Sequence, residues 1–377
     1  MRIAISTITT PAQPMGIGRY LVCLLESLQE IDHSNEYLIY TAQDNHSLFR
    51  LHQPNFREIR TPFSHNPRWL MRPGYFAWQN TWLQCELHAR RVDVLHLPNL
   101  LPVLISGIPT VVTIPDLGEY RVEHKYGVLR QWYRKSILPI TVRNASRIIA
   151  ISSCTKNDLV SLIDVPESKV DVVHLGTSAL PSVTASEEAA VLAKHVTGPY
   201  LLYVGAMFRH KNLERLITAY KRFRESTGLT HELLIVGKIS KEHAELSGLV
   251  TTLGLDGCVR FTGYLTDAEV GCLYRHASAF VYVPLNEGFG LPVLEAMACE
   301  TPVVTSNTSS LPEVAGDAAL LVDPLSINEI SAGIHRVLSD AALRSRLVTA
   351  GIERADAFSW RRCAELTMET YERALRN

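Results

Sequence analysis

Short apolar runs recur along the chain, separated by stretches whose apolar residues have helical spacing. In the first half these runs read RIAIST, EYLIYTA, VDVLHLP, PTVVTIPD, RIIAISS and VDVVHLG. In the second half they read YLLYVG, HELLIVG, VRFTGY, AFVYVPL, TPVVTS and ALLVD. Runs of this length, rich in β-branched and aromatic residues, predict buried strands. Strands that alternate with helices predict parallel sheets joined by right-handed crossovers.

A polar stretch after Gly176 separates the two sets of strands. The letters TSALPSVTASEEAAVLAKHVTG are alanine-rich and carry no clear period, which predicts a linker region over 179–198. The chain has 377 residues, which suits two α/β domains better than one core. The predicted fold class is α/β, with two doubly wound, Rossmann-like domains over 1–178 and 199–358 that face a cleft. Ligands of such sheets bind in the loops that follow the carboxyl ends of the strands.

One such loop lies in NEGFGLPVLEAMACETPVVTSN, which follows AFVYVPL. Its pattern predicts strand, glycine loop, helix and strand, because Gly288 and Gly290 permit a tight turn and Pro292 suits a first helical turn. The free amides of a helix start favour a phosphate group. Glu287 and Glu295 are then placed to accept hydrogen bonds from sugar and ribose hydroxyls. A nucleotide sugar fits these features; the alternative is an ordinary βαβ unit with two solvated glutamates.

A second loop after a strand, AMFRHKN, gathers cationic residues just before a helix. Arg209, His210 and Lys211 precede Asn212 and the helical stretch LERLITAY. Cations at a helix start oppose the helix dipole, so such a cluster needs an anion or an exit to solvent. This arrangement predicts a phosphate contact.

Two other loops are weaker candidates. MGIGRY, after RIAIST, contains Gly16 and Gly18, although a glycine turn before a helix is commonly structural. NTSSLPEVAG contains Ser309, Ser310 and Glu313, for which simple helix capping is the alternative interpretation.

Composition narrows the function classes. A net charge of −1 argues against a general nucleic-acid binder. The seven cysteines are scattered and form no C-x-x-C pair, which predicts a reducing compartment, with neither a disulfide framework nor a zinc site. The chain begins with a strand rather than a signal peptide, and no apolar run approaches about 18 residues. A soluble cytoplasmic protein is therefore expected.

One motif is conspicuously missing. No two aspartates lie two positions apart, so the sequence lacks the Asp-x-Asp pair that holds a metal on a nucleotide diphosphate. Charge on a leaving diphosphate would then be met by arginine, lysine and backbone amides. Neither a metal nor a cofactor beyond the donor substrate is predicted.

With these residues in view, the chain resembles the retaining glycosyltransferases of family four, which have the GT-B fold. EGFGLPVLE fits their E-x7-E element, and the likeness continues through AMACETPVVTSNTSSLPEVAGDAALLVDP. VGAMFRHKNLERLI resembles their phosphate-binding segment, and GIGRY, ASRIIAISSCTKNDL and VDVVHLG resemble landmarks of their N-terminal domain. FSWRRCAELTMETYERAL resembles their closing helix, so 359–377 is expected to cross back to the N-terminal domain. Its expected packing stripe is Trp360, Cys363, Thr367, Tyr371 and Leu375.

The resemblance implies roles for individual residues, with acceptor contacts from the N-terminal domain and donor contacts from the C-terminal domain. Glu287 would hold the donor sugar, Glu295 would bind the ribose, and Lys211, helped by Arg209, would neutralise the diphosphate. The implied catalytic residues are Glu287, Lys211 and Asp116. The implied donor-binding residues are Gly16, Gly18, Arg209, Lys211, Gly288, Phe289, Gly290, Leu291 and Glu295. The candidates on the acceptor side are Arg19, His96 and Pro115, and no metal is implied.

Two positions depart from the family pattern. Relatives often carry a histidine near the donor 6-hydroxyl where this chain has Pro115, which donates no hydrogen bond. One hypothesis is a donor without a 6-hydroxyl, such as a deoxyhexose; another is that His96 fills the space. Ala206 stands where some relatives place an arginine, for which Arg209 or His210 would substitute.

The predicted function is metal-independent transfer of a hexose, mannose-like or 6-deoxy, with retention at the anomeric carbon. A nucleotide diphosphate sugar is the donor, GDP-mannose being the first to test, and a glycan or lipid-linked saccharide hydroxyl is the acceptor. Polysaccharide or lipopolysaccharide biosynthesis at the cell envelope is the expected setting. The alternatives are a nucleotide-sugar-binding protein with little transferase activity and a nucleotide-sugar epimerase.

The acceptor side has one suggestive segment. From Phe49 to Arg91 the chain has seven arginines against two glutamates, and interleaved with them are Trp69, Tyr75, Phe76, Trp78 and Trp82. Exposed arginine with aromatics suits an anionic membrane surface or a lipid-linked diphosphate. The alternative is that the aromatics belong to the core and the arginines are solvated. Peripheral contact with the inner face of the cell membrane is therefore an open hypothesis.

Overall fold

A computed structural model describes residues 1–11, 16–65, 68–98, 104, 106–122, 128–177 and 180–376. The chain divides into two compact units. The first consists of Met1–Gly176 and Ser359–Asn377, and the second of Thr177–Phe358. Each is built around one parallel sheet with helices packed on it, which confirms the predicted α/β class with two doubly wound, Rossmann-like domains.

Within the described residues, the first unit has a seven-stranded sheet of order β3-β2-β1-β4-β5-β6-β7. Its strands are β1 (Arg2–Ser6), β2 (Glu36–Thr41), β3 (Phe56–Arg60), β4 (Val94–Leu97), β5 (Thr110–Ile114), β6 (Arg147–Ala150) and β7 (Val170–Val172). All neighbouring strands run parallel. The apolar runs predict all of these except β3. This edge strand reads FREIR, and only Phe56 of it is buried, so its sequence lacks the continuous apolar run of a central strand.

The helices of the first unit cover the faces of this sheet. Those before the second unit are α1 (Ile17–Ile31), α2 (Arg68–Gln79), α3 (Trp82–Ala89), α4 (Gly118–Arg121), α5 (Val128–Asn144) and α6 (Ser153–Ile163). Helix α1 buries Leu21, Leu24 and Leu28, the helical spacing that the sequence predicts.

The second unit has, over the described residues, a six-stranded sheet of order β10-β9-β8-β11-β12-β13, again with all neighbours parallel. Its strands are β8 (Tyr200–Val204), β9 (Glu232–Val236), β10 (Val259–Gly263), β11 (Ala279–Tyr282), β12 (Val303–Ser306) and β13 (Ala319–Val322). Each of these six matches a predicted apolar run. Strands β9, β11 and β12 are buried along their whole length.

The helices of the second unit begin inside the segment that the sequence presents as a linker. They are α7 (Ala185–His195), α8 (Leu213–Thr227), α9 (His243–Thr252), α10 (Asp267–His276), α11 (Leu291–Ala298), α12 (Leu311–Ala315), α13 (Ile327–Ser339) and α14 (Ala341–Asp356). The sequence predicts a linker region over 179–198, but Ala185–His195 of it form helix α7. A capping box closes its start, where the Thr184 side chain accepts from the Glu187 amide and Glu187 accepts from the Thr184 amide. Most of its surface is exposed, which explains the weak apolar period.

The last helix, α15 (Trp360–Leu375), belongs to the first unit. It packs against α1 and against β4, β5 and β6, as expected for the closing helix. Trp360, Cys363, Thr367 and Tyr371 of the expected stripe are buried. Leu375 is exposed instead, because the helix ends there and Ala374 takes the inward position.

The loops that the sequence singles out lie at the carboxyl ends of parallel strands. In the second unit, β8, β11 and β12 are followed by AMFRHKN, NEGFGL and NTSSLPE, and β11 lies between β8 and β12. Neighbouring parallel strands end at the same edge of a sheet, so these loops come together. None of the described helices combines the length and apolarity needed to cross a bilayer.

Candidate functional site

Lys211, Tyr282 and Glu287 form one hydrogen-bonded cluster at this edge of the second sheet. The Lys211 ammonium donates to Glu287 Oε2 at 2.5 Å and to the Tyr282 hydroxyl at 2.6 Å. The Tyr282 hydroxyl donates to the same carboxylate oxygen at 3.0 Å. The lysine nitrogen also lies 5.3 Å from the centre of the Tyr282 ring, within cation–π range. We call these three residues the Lys–Tyr–Glu cluster.

The cluster is largely shielded from water. The Lys211 and Glu287 side chains are 13% and 19% exposed, so each charge depends on the other for compensation. Burial, together with the Glu287 carboxylate, raises the pKa of Tyr282 well above its ordinary value. The phenol therefore keeps its proton and can donate to Glu287.

The backbone around Lys211 is fixed from two sides. Arg209–Lys211 forms a single 3₁₀ turn, after which Asn212 adopts a left-handed conformation with φ 64°. The Asn212 side-chain amide is buried and donates to the carbonyls of Val283 at 2.9 Å and Pro324 at 2.7 Å. Asparagine tolerates this conformation better than most residues. Asn212 thereby ties the lysine turn to the ends of β11 and β13.

The Glu287 loop is held by two serines from the loop after β12. The Glu287 amide donates to Ser309 Oγ at 3.1 Å. The Ser310 hydroxyl donates to the carbonyls of Glu287 at 2.9 Å and Phe289 at 2.7 Å. The capping interpretation of these serines is wrong for Ser310, because its side chain makes no cap bond to α12. The serines instead set the conformation of the glycine loop.

Gly290 makes the entry into α11 possible. Its φ is 114°, and a Cβ atom there would lie 2.7 Å from Leu311 Cδ2. Both facts exclude a side chain without local movement. Helix α11 then starts at Leu291 with Pro292 in its first turn, as the sequence predicts.

Glu295 lies on the inner face of α11. It is only 7% exposed, and one of its carboxylate oxygens is 3.5 Å from the Tyr274 hydroxyl. Its charge acts on Tyr282, whose pKa it helps to raise after the larger effects of burial and Glu287. Glu295 is therefore electrostatically linked to the Lys–Tyr–Glu cluster.

Arg209 does not join Lys211 in the cluster. Its guanidinium pairs with Glu245 of α9 at 3.3 Å, and its side chain is about two-thirds exposed. The two side chains diverge because positions two apart on a 3₁₀ turn point in different directions. The structure thus brings Glu287 and Lys211 together but leaves the predicted helper cation outside.

The predicted residues of the first unit lie at the start of α1, after β5 and within β4. Gly16 precedes α1 with φ 56° and is exposed, whereas Gly18 is buried within the helix, next to the half-buried Arg19. Pro115 directly follows β5, and its carbonyl accepts from the Thr155 hydroxyl at 3.2 Å.

Asp116 shapes the turn after β5. One of its carboxylate oxygens accepts from the Gly118 amide at 2.7 Å, at the start of α4. A short side chain that bonds two residues ahead is an Asx turn. Asp116 thus has a local structural task in addition to its implied catalytic role.

His96 lies in the core, which contradicts the hypothesis that it fills the space beside Pro115. It is fully buried within β4, and its ring nitrogens bond the Tyr371 hydroxyl and Thr113 Oγ1, both at 2.8 Å. Burial lowers the pKa of His96 to about 3, so the ring is neutral near pH 7. Its hydrogen-bonding groups are already used inside the first unit.

The arginine-rich segment is mostly structural where it is described. Tyr75 is buried and bonds Ser6 Oγ at 2.8 Å, and Trp78 packs on Tyr75 and Phe63, whereas Trp82 is largely exposed. Several arginines have acidic partners, namely Arg57 with Glu36, Arg60 with Glu58 and Arg90 with Glu86. The side chains of Arg68, Trp69 and Arg72 lie outside the described residues. Tyr75 therefore belongs to the core, and Arg57, Arg60 and Arg90 are solvent-exposed, as the alternative interpretation expects, whereas Trp82 does not fit it.

Sequence reasoning missed Tyr282 as a contributor to the site, and it named Asn212 and Ser310 without the contacts that they make. In the sequence, Tyr282 resembles the other apolar residues of a buried strand. Its only polar signal is that Asn286 and Glu287 follow soon after it. Asn212 and Ser310 act through backbone carbonyls, and no spacing rule reveals such bonds. The serine pair beside the glycine loop is the only sequence signal that pointed toward them.

The cluster suits recognition of an anion next to a polyol. A lysine compensates a phosphate charge, a carboxylate accepts hydrogen bonds from hydroxyls, and the fixed glycine loop offers backbone amides. When no ligand is bound, the two charges neutralise each other at 2.5 Å. An incoming diphosphate would compete with Glu287 for Lys211 and thereby release the carboxylate for hydroxyl groups.

Family models match both halves of the chain. One, described as Glycosyltransferase Family 4, matches residues 14–179, and another, described as Glycosyl transferases group 1, matches residues 185–354. The second match includes both predicted phosphate loops, AMFRHKN and NEGFGL.

Individual proteins are similar over most of the chain. The O-antigen chain mannosyltransferase B of Escherichia coli is 34% identical over 308 residues, which cover 80% of this chain and 78% of that protein. The serotype-specific mannosyltransferase WbdA of Escherichia coli is 28% identical over 66% of this chain. The matched region covers only 31% of that longer protein. A sucrose-phosphate synthase from Thermosynechococcus elongatus has a similar fold, with a TM-score of 0.79, 22% identity, and coverage of 99% of this chain and 98% of that one.

Proposed function

This chain belongs to glycosyltransferase family 4 and has the GT-B fold, and on that premise we propose that it transfers a hexose from a nucleotide diphosphate sugar to an acceptor hydroxyl. The proposed reaction retains the anomeric configuration and uses no metal in the transfer step. The proposed acceptor is a glycan or a lipid-linked saccharide, in the assembly of a cell-envelope polysaccharide.

The observation that carries this proposal is the Lys–Tyr–Glu cluster beside a glycine loop and a helix start. Lys211 supplies a positive charge where the diphosphate would lie, and Glu287 supplies the acceptor for sugar hydroxyls. Glu295, one turn further along α11, is the proposed ribose contact. Glu295 is only 7% exposed, so the ribose would have to reach a carboxylate that is almost inaccessible to solvent.

A front-face route fits these residues. In this route the leaving diphosphate oxygen takes the proton of the acceptor hydroxyl. The acceptor oxygen bonds to the anomeric carbon on the same face of the sugar from which the diphosphate leaves. Lys211 and the amides of the glycine loop stabilise the charge that develops on the diphosphate. A double displacement would require a carboxylate nucleophile, and Glu287 is already held by Lys211 and Tyr282.

GDP-mannose is the donor that we propose to test first. Relatives named as mannosyltransferases support a mannose-like sugar, and one of them is named for an O-antigen chain. Pro115 supports a second candidate, a donor without a 6-hydroxyl, because proline offers no donor to that group.

The first experiment is a thermal-shift screen of GDP, UDP, dTDP and ADP, each with its sugars. A ligand at 100 times its dissociation constant stabilises the folded protein by about 2.7 kcal/mol. We expect one nucleotide series to raise the melting temperature and Glu295→Ala to abolish that shift. A shift that survives Glu295→Ala would remove the ribose role from this residue.

Transfer itself is then assayed with the stabilising donor and mannose-terminated acceptors, by mass spectrometry and NMR of the product. An α-linked product from an α-linked donor supports retention. Donor binding without any product would favour the nucleotide-sugar-binding alternative, and a changed donor in the absence of acceptor would favour the epimerase. A rate that depends on added magnesium or manganese would contradict metal-independent transfer.

Peripheral membrane contact is a separate part of the proposal. Trp82 on α3 and Trp132 on α5 expose large aromatic surfaces, which suits the interface of a bilayer. Flotation with liposomes that contain anionic lipid tests it. Failure of the wild-type chain to float would remove membrane contact and leave the transferase proposal intact.

A further inference from the structure

Three potential metal ligands converge in the second unit on helices that contribute nothing to the Lys–Tyr–Glu cluster. Cys272 and His276 lie one turn apart on α10, and Glu188 faces them from α7. Their ligand atoms all lie within 4.8 Å of one another. From this convergence we propose a binding site for a divalent transition metal, with zinc as the favoured ion.

The chemistry of the donor set selects the class of metal. A thiolate, an imidazole and a carboxylate together match zinc and its first-row neighbours. Magnesium and calcium take oxygen ligands instead, and this set offers oxygen only from Glu188. Three protein ligands leave a fourth tetrahedral position for water.

The spacing of the ligand atoms is close to that of a tetrahedral site. His276 Nε2 lies 3.5 Å from Glu188 Oε2. Metal–ligand bonds of about 2.0–2.3 Å place tetrahedral ligand atoms roughly 3.4–3.6 Å apart. The imidazole and carboxylate therefore already have the required separation, and the thiol of Cys272, within 4.8 Å of both, has to move closer by an amount on the order of 1 Å.

The surroundings supply a second shell and a path for entry. Arg275 donates to the other oxygen, Glu188 Oε1, at 2.9 and 3.2 Å, which leaves Oε2 for a metal. Cys272 is fully buried, whereas the His276 side chain is 43% exposed and opens the site to solvent. A thiolate and a carboxylate together neutralise a dication, so the nearby guanidinium is tolerated.

This proposal departs from the sequence expectation of no zinc site. That expectation rested on the missing C-x-x-C pair, but these ligands are a Cys-x-x-x-His turn and a glutamate 84 residues before the cysteine. A bound metal would tie α7, the first helix of the second unit, to α10. The site would stabilise the fold and take no part in the transfer step.

Cobalt(II) added to the purified full-length chain under anaerobic conditions tests the site without any activity assay. A thiolate ligand gives a thiolate-to-cobalt charge-transfer band in the near ultraviolet, and a tetrahedral site gives visible d–d bands. We expect both bands at one equivalent of cobalt. Cys272→Ser should abolish the charge-transfer band, and the matched control Cys85→Ser, which removes an exposed thiol, should leave it unchanged.

His276→Ala guards against misfolding of the buried cysteine variant, because His276 is partly exposed. We expect it to weaken cobalt binding at least tenfold, while the control His335→Ala, at an exposed position on α13, has no effect. Zinc should also raise the melting temperature of the wild type and not that of His276→Ala. Absence of the band in the wild type, or its persistence in Cys272→Ser, would overturn the proposal.

Discussion

At the scale of single residues, the Lys211–Glu287 ion pair carries two charges that are mostly out of water. Removing one partner leaves the other charge unpaired, whereas a ligand that binds both partners can replace the pair without such a cost. The same contact therefore keeps the site neutral in the absence of ligand, and the proposed donor, with its phosphate and hydroxyl groups, would replace it.

Lys211→Ala should lower kcat of hexose transfer about 100- to 1,000-fold, the usual cost of removing one group that stabilises charge in the transition state. Initial rates at saturating donor measure the effect. Lys221→Ala serves as the control, because Lys221 lies on α8 and pairs with Glu225 of the same helix at 3.7 Å. Near-normal turnover in Lys211→Ala would show that Lys211 is not at the reacting centre.

His96 makes the stability of the protein depend on pH. Its pKa is about 3 in the folded state and 6.5 as an ordinary value, because burial disfavours the charged ring. Burial of the neutral ring therefore contributes fully to the free energy of unfolding above pH 6.5. This contribution is lost as the pH falls from 6.5 toward 3, with a slope approaching about 1.4 kcal/mol per pH unit.

Comparison of wild type with His96→Gln by denaturant unfolding between pH 7.5 and pH 4 measures this dependence. The stability difference between the two should shrink as the pH falls. His335→Gln, at an exposed position, should run parallel to wild type. A difference for His96→Gln that stays constant with pH would contradict the burial argument.

At the scale of elements, the glycine loop between β11 and α11 depends on a neighbouring loop for its conformation. Ser309 and Ser310 bond the Glu287 amide and the carbonyls of Glu287 and Phe289, and Gly290 turns the chain into the helix. The position of the Glu287 carboxylate is thus set by residues more than twenty positions away.

Gly290→Ala should destabilise the protein by about 1–3 kcal/mol, because alanine is strained at φ 114° and its methyl group meets Leu311. Thermal unfolding and donor titration measure the effect, and donor affinity should fall as well. Gly248→Ala on α9 is the matched control. No atom lies within 4 Å of its added methyl group, so it should be neutral or stabilising by about 0.5–1 kcal/mol. Equal stability of the two variants would show that the loop can relax.

The sequence predicts the elements of this site better than their contacts. The strand, glycine loop and helix around Glu287 follow from apolar runs, glycines and Pro292, which are local signals. The separation of Arg209 from Lys211 depends on a 3₁₀ turn whose register no local pattern specifies. Helix α7 was missed although Thr184 and Glu187 have capping-box spacing, because its exposed surface weakens the apolar period. Edge strand β3 was missed for the same reason.

At the scale of the whole molecule, the two units differ in how the chain builds them. The second unit is one continuous stretch, Thr177–Phe358, whereas the first needs α15 from the end of the chain. That helix covers β4, β5 and β6 and contributes Tyr371 to the buried bond with His96. The first unit is thus incomplete without residues that follow the second.

A chain that ends at Phe358 should retain the second unit and lose protection in the first. Hydrogen exchange followed by mass spectrometry measures both, and we expect faster exchange in β4, β5 and β6 while β8 to β13 keep their protection. A chain that ends at Leu375 is the control and should behave as wild type. Unchanged exchange in the first unit of the chain ending at Phe358 would show that α15 is dispensable.

The position of α15 also has a consequence during translation. The ribosome synthesises the 176 residues of the first segment, and then the whole second unit, before Trp360 is made. At about 5–20 residues per second, that interval lasts on the order of ten to forty seconds. Throughout it, the nascent first unit presents the apolar surface that Trp360, Cys363 and Tyr371 later cover. This surface becomes covered only once α15 has been synthesised, so the first unit cannot finish folding before the second unit has been made.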